Sequence, residues 1–147
     1  MKGDVVQGKE YPRILIIEAA AGGTALGEEI ALPLSEAGFG VARLPGYPET
    51  RWEKELFKPG MVILDEAVSG SMELSSQYTA AGIPVILVGE DMSEEIWEKA
   101  LIKAGAAFYL RRPISHEVLV ARVKAILRRC RLNANKKGHH ETTSEDF

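Results

Sequence analysis

Residues Met61 to Ala67, MVILDEA, run four apolar side chains directly into an acid. An apolar run without alternation suits a strand buried on both faces, as in a parallel sheet covered by helices. Open parallel sheets place their sites outside the C-terminal ends of the strands, so Asp65 stands where chemistry would sit. Three other runs have the same character: RILII (13–17), VARL (41–44) and IPVILV (83–88). A fifth, AAFYL (106–110), is less branched and is followed closely by Pro113.

The segments between these runs carry helical spacing. Leu26, Ile30 and Leu34 recur every four residues, and Ala37 extends the stripe to a stop at Gly38. Pro33 lies inside it and should kink or loosen that helix. Ile96, Trp97, Ala100, Leu101 and Ala104 make a second stripe closed by Gly105, with Asp91 and Glu94 spaced as a reciprocal cap. Val118, Leu119, Val123, Ile126 and Leu127 make a third, starting after Ser115 as N-cap. Shorter helices are expected at 50–57 and 72–81. Strand and helix alternate five times, which predicts an α/β domain with a parallel sheet. The expected organisation is an N-terminal extension (1–12), one domain (13–131) and a disordered polar tail (132–147).

Composition narrows the class. The chain has 147 residues, 46% of them hydrophobic and 27% charged, with a net charge of −3. That length suits a single domain with a sizeable core, and that balance gives no electrostatic case for nucleic acid. Cys130 is the only cysteine, which excludes an intramolecular disulfide and a thiolate metal cluster. The start, MKGDVVQGKEYP, lacks the apolar core of a signal peptide, and no apolar run is long enough to span a bilayer. A reducing, cytoplasmic setting is expected.

Residues at the strand ends supply the candidate site. Strand 1 ends at Glu18 before AAAGG, strand 3 at Asp65, strand 4 at Gly89 and Glu90, and strand 5 at Arg111, Arg112 and Pro113. Two carboxylates and one or two guanidiniums could therefore meet in one cleft.

In order and spacing, RILIIEA, MVILDEA, IPVILVGE and GAAFYLRRPISHEVLVARVKAILRR resemble the receiver domain of bacterial response regulators, over roughly residues 13–129. The resemblance implies a doubly wound, five-stranded parallel sheet of flavodoxin-like type, and two-component signal transduction in which an aspartate ending strand 3 accepts a phosphoryl group in a phosphorelay. That residue here is Asp65. The chemistry needs an ionised carboxylate as nucleophile and a divalent cation to offset charge on the transferring oxygens. The family holds that cation with an acidic pair after strand 1, which reads Glu18-Ala19 here. Glu18 and Asp65 are thus the only metal ligands the resemblance carries over, and Ala19 stands where a direct ligand is expected. Magnesium relies on so few carboxylates that losing one weakens its site. The family's strand 4 ends in a hydroxyl residue, replaced by Gly89. Its strand 5 ends in a lysine, replaced by the bulkier, forked Arg112. An aromatic that moves inward with the hydroxyl is kept as Tyr109. The loop EAAAGGTALGEE is also about three residues longer than the family's usual turn.

These departures set the expected function. Asp65 is read as a leftover acid held by Arg112 or Arg111, with a bidentate guanidinium–carboxylate pair locking the pocket. The chain is then an atypical receiver that signals through protein–protein interaction without phosphorylation. One alternative is a working response regulator phosphorylated on Asp65 by a sensor kinase, with Glu66 or Glu90 helping Glu18 rebuild a magnesium site. Another is a small anion or nucleotide binder at the Gly22–Gly27 loop, although no P-loop or dinucleotide motif is present. No cofactor beyond weak magnesium is expected, and no enzyme activity, since G-x-S-x-G is absent and His116 opens a helix after Pro113. The basic run Arg128, Arg129, Arg131, Lys136 and Lys137 is read as a solvated helix end, and His139 and His140 as tail residues without a metal site. Trp97 and Tyr109 fall near the face of helix 4, strand 5 and helix 5. A protein partner or a homodimer is expected there, against the alternative that Trp97 packs on the sheet. With no output domain read after residue 131, any effect is expected to pass through a partner, a second copy or a parent protein.

Overall fold

A computed structural model describes residues 13–19, 25–45, 59–90 and 93–139, with side chains as far as Arg131. The elements run β1 (Arg13–Glu18), α1 (Leu26–Glu36), β2 (Gly40–Pro45), β3 (Met61–Asp65), α2 (Ser71–Ala80), β4 (Val85–Gly89), α3 (Glu94–Glu98, continuing as a π-helix over Lys99–Lys103), β5 (Phe108–Arg111) and α4 (His116–His139). The five strands form one sheet in the order β2-β1-β3-β4-β5, and every pairing is parallel. The chain therefore winds outward from β1 in both directions, as expected for a doubly wound sheet. The expected helix at 50–57 lies outside the described residues, as do residues 1–12, 20–24 and 140–147. Among the described residues no helix is long and apolar enough to cross a membrane.

Strand alternation sorts the core into two layers. Ile14, Ile16, Met61, Ile63, Ile86, Val88 and Leu110 face α1 and α4, where they meet Leu26, Ile30, Leu34, Leu119, Val123 and Ile126. Leu15, Ile17, Val62, Leu64, Val85, Leu87 and Tyr109 face the other side, against Leu74, Tyr78, Ala100 and Ala104. The central strands β3 and β4 are buried at every residue, which is why their sequences do not alternate. The edge strand β2 is partly open along its length.

Helix ends follow local chemistry. Gly38, at φ 103°, closes α1: its N–H donates to the Ser35 carbonyl, and Phe39 N–H donates to the Leu34 carbonyl. Gly82, at φ 85°, repeats this arrangement after α2, with Ile83 N–H on the Tyr78 carbonyl. Both glycines occupy the left-handed position that such a C-terminal motif requires. Ser115 caps α4 as expected, its Oγ accepting from Val118 N–H.

Several expectations are corrected. Helix α1 runs from Leu26 to Glu36 with Pro33 inside it. The cap of α3 is Ser93, whose Oγ accepts from Ile96 N–H at 3.3 Å; Asp91 lies outside the described residues. The same helix widens after Glu98, with Ala104 N–H reaching the Lys99 carbonyl, and only Ala100 in the widened turn is buried. Trp97 does not pack on the sheet but stands 49% exposed. Val118 also points outward, and Val120 packs against the core instead. The last helix continues to His139, through half of the segment expected as disordered tail. Leu, Ala and Lys are good helix formers, so the backbone can continue where the apolar stripe has stopped.

Candidate functional site

Parity along the strands decides which side chains meet at the C-terminal edge of the sheet. Glu18 extends the Ile14–Ile16 row and Asp65 the Met61–Ile63 row, so both lie on the α1–α4 side. Arg112 follows Leu110 on that side, and Arg111 points away and is exposed. Gly89 and Tyr109 belong to the opposite row, with Leu87 and Val85. The edge thus carries two adjoining clusters, and the sequence candidates divide between them.

In the first cluster, Asp65 is only 4% exposed. Its Oδ1 accepts from Ala67 N–H at 2.9 Å, and its Oδ2 accepts from Arg112 Nη2 at 3.3 Å. The same guanidinium donates from Nε to Glu29 Oε1 at 3.0 Å. Arg112 therefore bridges two carboxylates on two elements. The expected two-bond pairing with Asp65 is replaced by one bond to each acid, because Glu29, in the first turn of α1, competes for the fork.

Glu18 turns to a different cation. Its Oε2 lies 3.1 Å from Arg43 Nη2, Arg43 Nε is 3.3 Å from both oxygens, and Gly27 N–H donates to Oε1 at 2.7 Å. Arg43, on β2, pairs in register with Ile16 of β1, which brings its side chain to the Glu18 side of the sheet. Gly27 is the part of the glycine-rich loop that is described at the site, and its N–H is turned to an internal carboxylate. A Cβ on Gly27 would run into the Arg43 side chain and the Glu18 carboxylate, so any larger residue here would have to displace that pair. Residues 22–24 of the expected anion loop lie outside the described residues.

The second cluster is built around an absence. Tyr109 is 5% exposed, and its hydroxyl donates to Glu66 Oε1 at 3.3 Å. A Cβ on Gly89 would collide with both the Tyr109 hydroxyl and the Glu66 carboxylate. The absence of a side chain at Gly89 thus leaves the room that Tyr109 and Glu66 fill.

A magnesium ion, the cation the receiver resemblance implies, demands close oxygen ligands in octahedral geometry. Ala19 offers none, Glu18 is engaged by Arg43 and Gly27, and both Asp65 oxygens accept from N–H donors. The residues present do not fit that ion in this arrangement. Among the described residues there is also no group of three or more His, Cys, Asp and Glu placed to hold a metal.

Sequence reasoning points to Asp65, Glu18, Gly89, Arg112 and Tyr109, and the structure brings all five to one edge. It misses Glu29 and Arg43. Each has a signal: Glu29 adjoins Ile30 on the border of the buried stripe at a helix start, and Arg43 is a lone cation inside the apolar run VARL.

No family model matches the sequence, and no curated protein matches it. Solved structures do resemble the fold. A CheY-like receiver domain protein from Methanospirillum hungatei JF-1 is 21% identical, with a TM-score of 0.71 over 84% of this chain and 99% of that one. A two-component response regulator from Clostridium difficile is 24% identical, with a TM-score of 0.62 over 80% and 96%. NtrX from Brucella abortus is 16% identical, with a TM-score of 0.77 over 94% of this chain and 32% of that longer one. Strand order, parallel winding and these likenesses agree on one conclusion: the chain has the fold of the response-regulator receiver domain.

Proposed function

We propose that this chain is an atypical receiver, a cytoplasmic signalling module that acts through protein–protein contact and without phosphorylation of Asp65. The observation that carries this reading is Arg112, whose guanidinium lies between Asp65 and Glu29 at 3.3 and 3.0 Å. A nucleophilic carboxylate needs its lone pairs and a cation beside the incoming phosphoryl group. Here those lone pairs face N–H donors, Ala19 supplies no metal ligand, and Gly89 supplies no hydroxyl. The module has no catalytic role in this reading. Its contact surface is the face of α3, β5 and α4, the helix 4, strand 5 and helix 5 of the sequence count. Trp97 and Ile102 stand 49% and 71% exposed there, and a protein partner or a second copy would cover them.

The test is intact mass after incubation with acetyl phosphate and magnesium, with Asp65→Asn as control and an ordinary receiver alongside. The expected result is no phosphoryl-sized gain while the ordinary receiver is modified. A gain that vanishes in Asp65→Asn would establish the alternative, a working phosphoacceptor with a sensor kinase as its partner.

A further inference from the structure

We propose that the acidic, apolar groove on α3 is filled by the basic end of α4 from a second copy of this chain, two copies exchanging these contacts. This deepens the proposed reading of the α3, β5 and α4 face as a contact surface, and rests on it. Its starting point is a pair of exposed features of opposite charge, neither of which the fold itself uses.

The groove lies along one helix. Trp97 and Ile102, 49% and 71% exposed, line it with Leu101 and with Glu94, Glu95 and Glu98. Residues three and four apart are neighbours on a helix surface, so Glu98 adjoins both other acids and the three form one ridge. Like charges so spaced disfavour one another. Lys99 and Lys103 of the same helix line a separate groove, with Met72, Ser76 and Gln77 of α2. Among the described residues no ion pair engages the three glutamates.

The complementary surface is the far end of α4. Ile126 is the last buried residue there, Arg128, Arg129 and Arg131 are exposed, and the backbone stays helical to His139. No acid stands between Glu117 and Glu141, and the helical segment adds Lys136 and Lys137. From Arg128 to His139 the helix is about 18 Å long, and the stretch Glu94–Ile102 about 14 Å, so the one can cross the other. Arg128 and Arg131 share a face at the spacing of Glu95 and Glu98. Arginine also suits Trp97, since a guanidinium stacks on an indole while its N–H groups reach carboxylates. The last residues of the chain have the wrong charge for the groove: Glu141, Glu145 and Asp146 would meet three more acids. Each copy carries one groove and one basic end, so a two-fold pair makes the contact twice.

The experiment is sedimentation velocity on the intact chain over a concentration series. Two charge-reversed variants accompany it, Glu94→Lys/Glu95→Lys/Glu98→Lys and Arg128→Glu/Arg129→Glu/Arg131→Glu. The wild type is expected to form a reversible dimer. It should weaken about tenfold between about 0.1 and about 1 M salt, where the Debye length falls from about 10 to about 3 Å. Each variant alone should stay monomeric. An equimolar mixture should recover the dimer, because both contacts then join opposite charges again. Circular dichroism checks each fold; glutamine at the same positions replaces any reversed set that unfolds, and should weaken the dimer several-fold. A dimer indifferent to salt and to both reversals, or a mixture that associates no better than its components, overturns the proposal. A monomeric wild type also overturns it, and leaves the face to a different partner. None of these results bears on the intact-mass test of Asp65, so the two readings fail separately.

Discussion

Gly89 shows how one missing side chain can organise a neighbourhood. Its open space is filled by the Tyr109 hydroxyl and the Glu66 carboxylate, bonded to each other at 3.3 Å. A serine there would demand the same volume, and overpacking of a close-packed interior typically costs about 1–3 kcal/mol. Gly89→Ser should therefore lower stability to urea by about that amount and raise the nitration rate of Tyr109 several-fold as the ring is displaced. A variant of unchanged stability with Tyr109 still protected would show that the space is freer than the geometry indicates. Glu29 and Arg43 illustrate the limit of reading residues one at a time. Each is visible as a charge on or beside an apolar segment, but its partner lies far along the chain. Arg43 meets Glu18 only because β2 pairs with β1 in a particular register, and Glu29 meets Arg112 only because α1 covers the end of the sheet.

At the scale of elements, legibility tracks burial. Strands β1, β3 and β4 are covered on both faces, so their sequences are unmixed apolar runs and their positions can be read almost to the residue. The outer elements are less constrained. In α3 the spacing of Ile96, Trp97, Ala100, Leu101 and Ala104 predicts one inward face. Ala100 and Ala104 are buried and Ile96 and Leu101 pack partly against the same core layer, so the stripe holds except at Trp97, which stands exposed beside the widened turn over Lys99–Lys103. The exposed Trp97 lines a groove of about 610 Å³ with Leu101, Ile102 and three glutamates, Glu94, Glu95 and Glu98. Because Trp97 contributes little to the core, Trp97→Ala should change unfolding free energy by less than about 0.5 kcal/mol. If the face is a contact surface, the same variant should weaken partner binding or self-association, as read by sedimentation velocity. A large loss of stability would show that Trp97 belongs to the core after all. The end of α4 teaches the converse: the apolar stripe ends at Leu127, whereas the backbone continues as helix to His139.

For the molecule as a whole, the fold can be inferred because alternating strands and helices, unmixed central strands and glycine stops all point to the same winding. The state of the pocket can be inferred only in part. An arginine neighbour for Asp65 is legible at the end of strand 5. The division of that arginine between two acids, and the capture of Glu18 by Arg43, depend on the assembled sheet edge. Together these contacts describe a receiver-type fold whose edge carboxylates are already held by internal partners, and such a molecule should not respond to a phosphoryl signal. The most direct check is a pair of proton–nitrogen correlation spectra of the intact chain, before and after adding magnesium with beryllofluoride, a mimic of the acyl phosphate. The expected result is superimposable spectra, with Asp65 to Val68, Gly89 and Tyr109 unmoved. Saturable shifts at those residues, absent in Asp65→Asn, would contradict the account and make Asp65 a live acceptor.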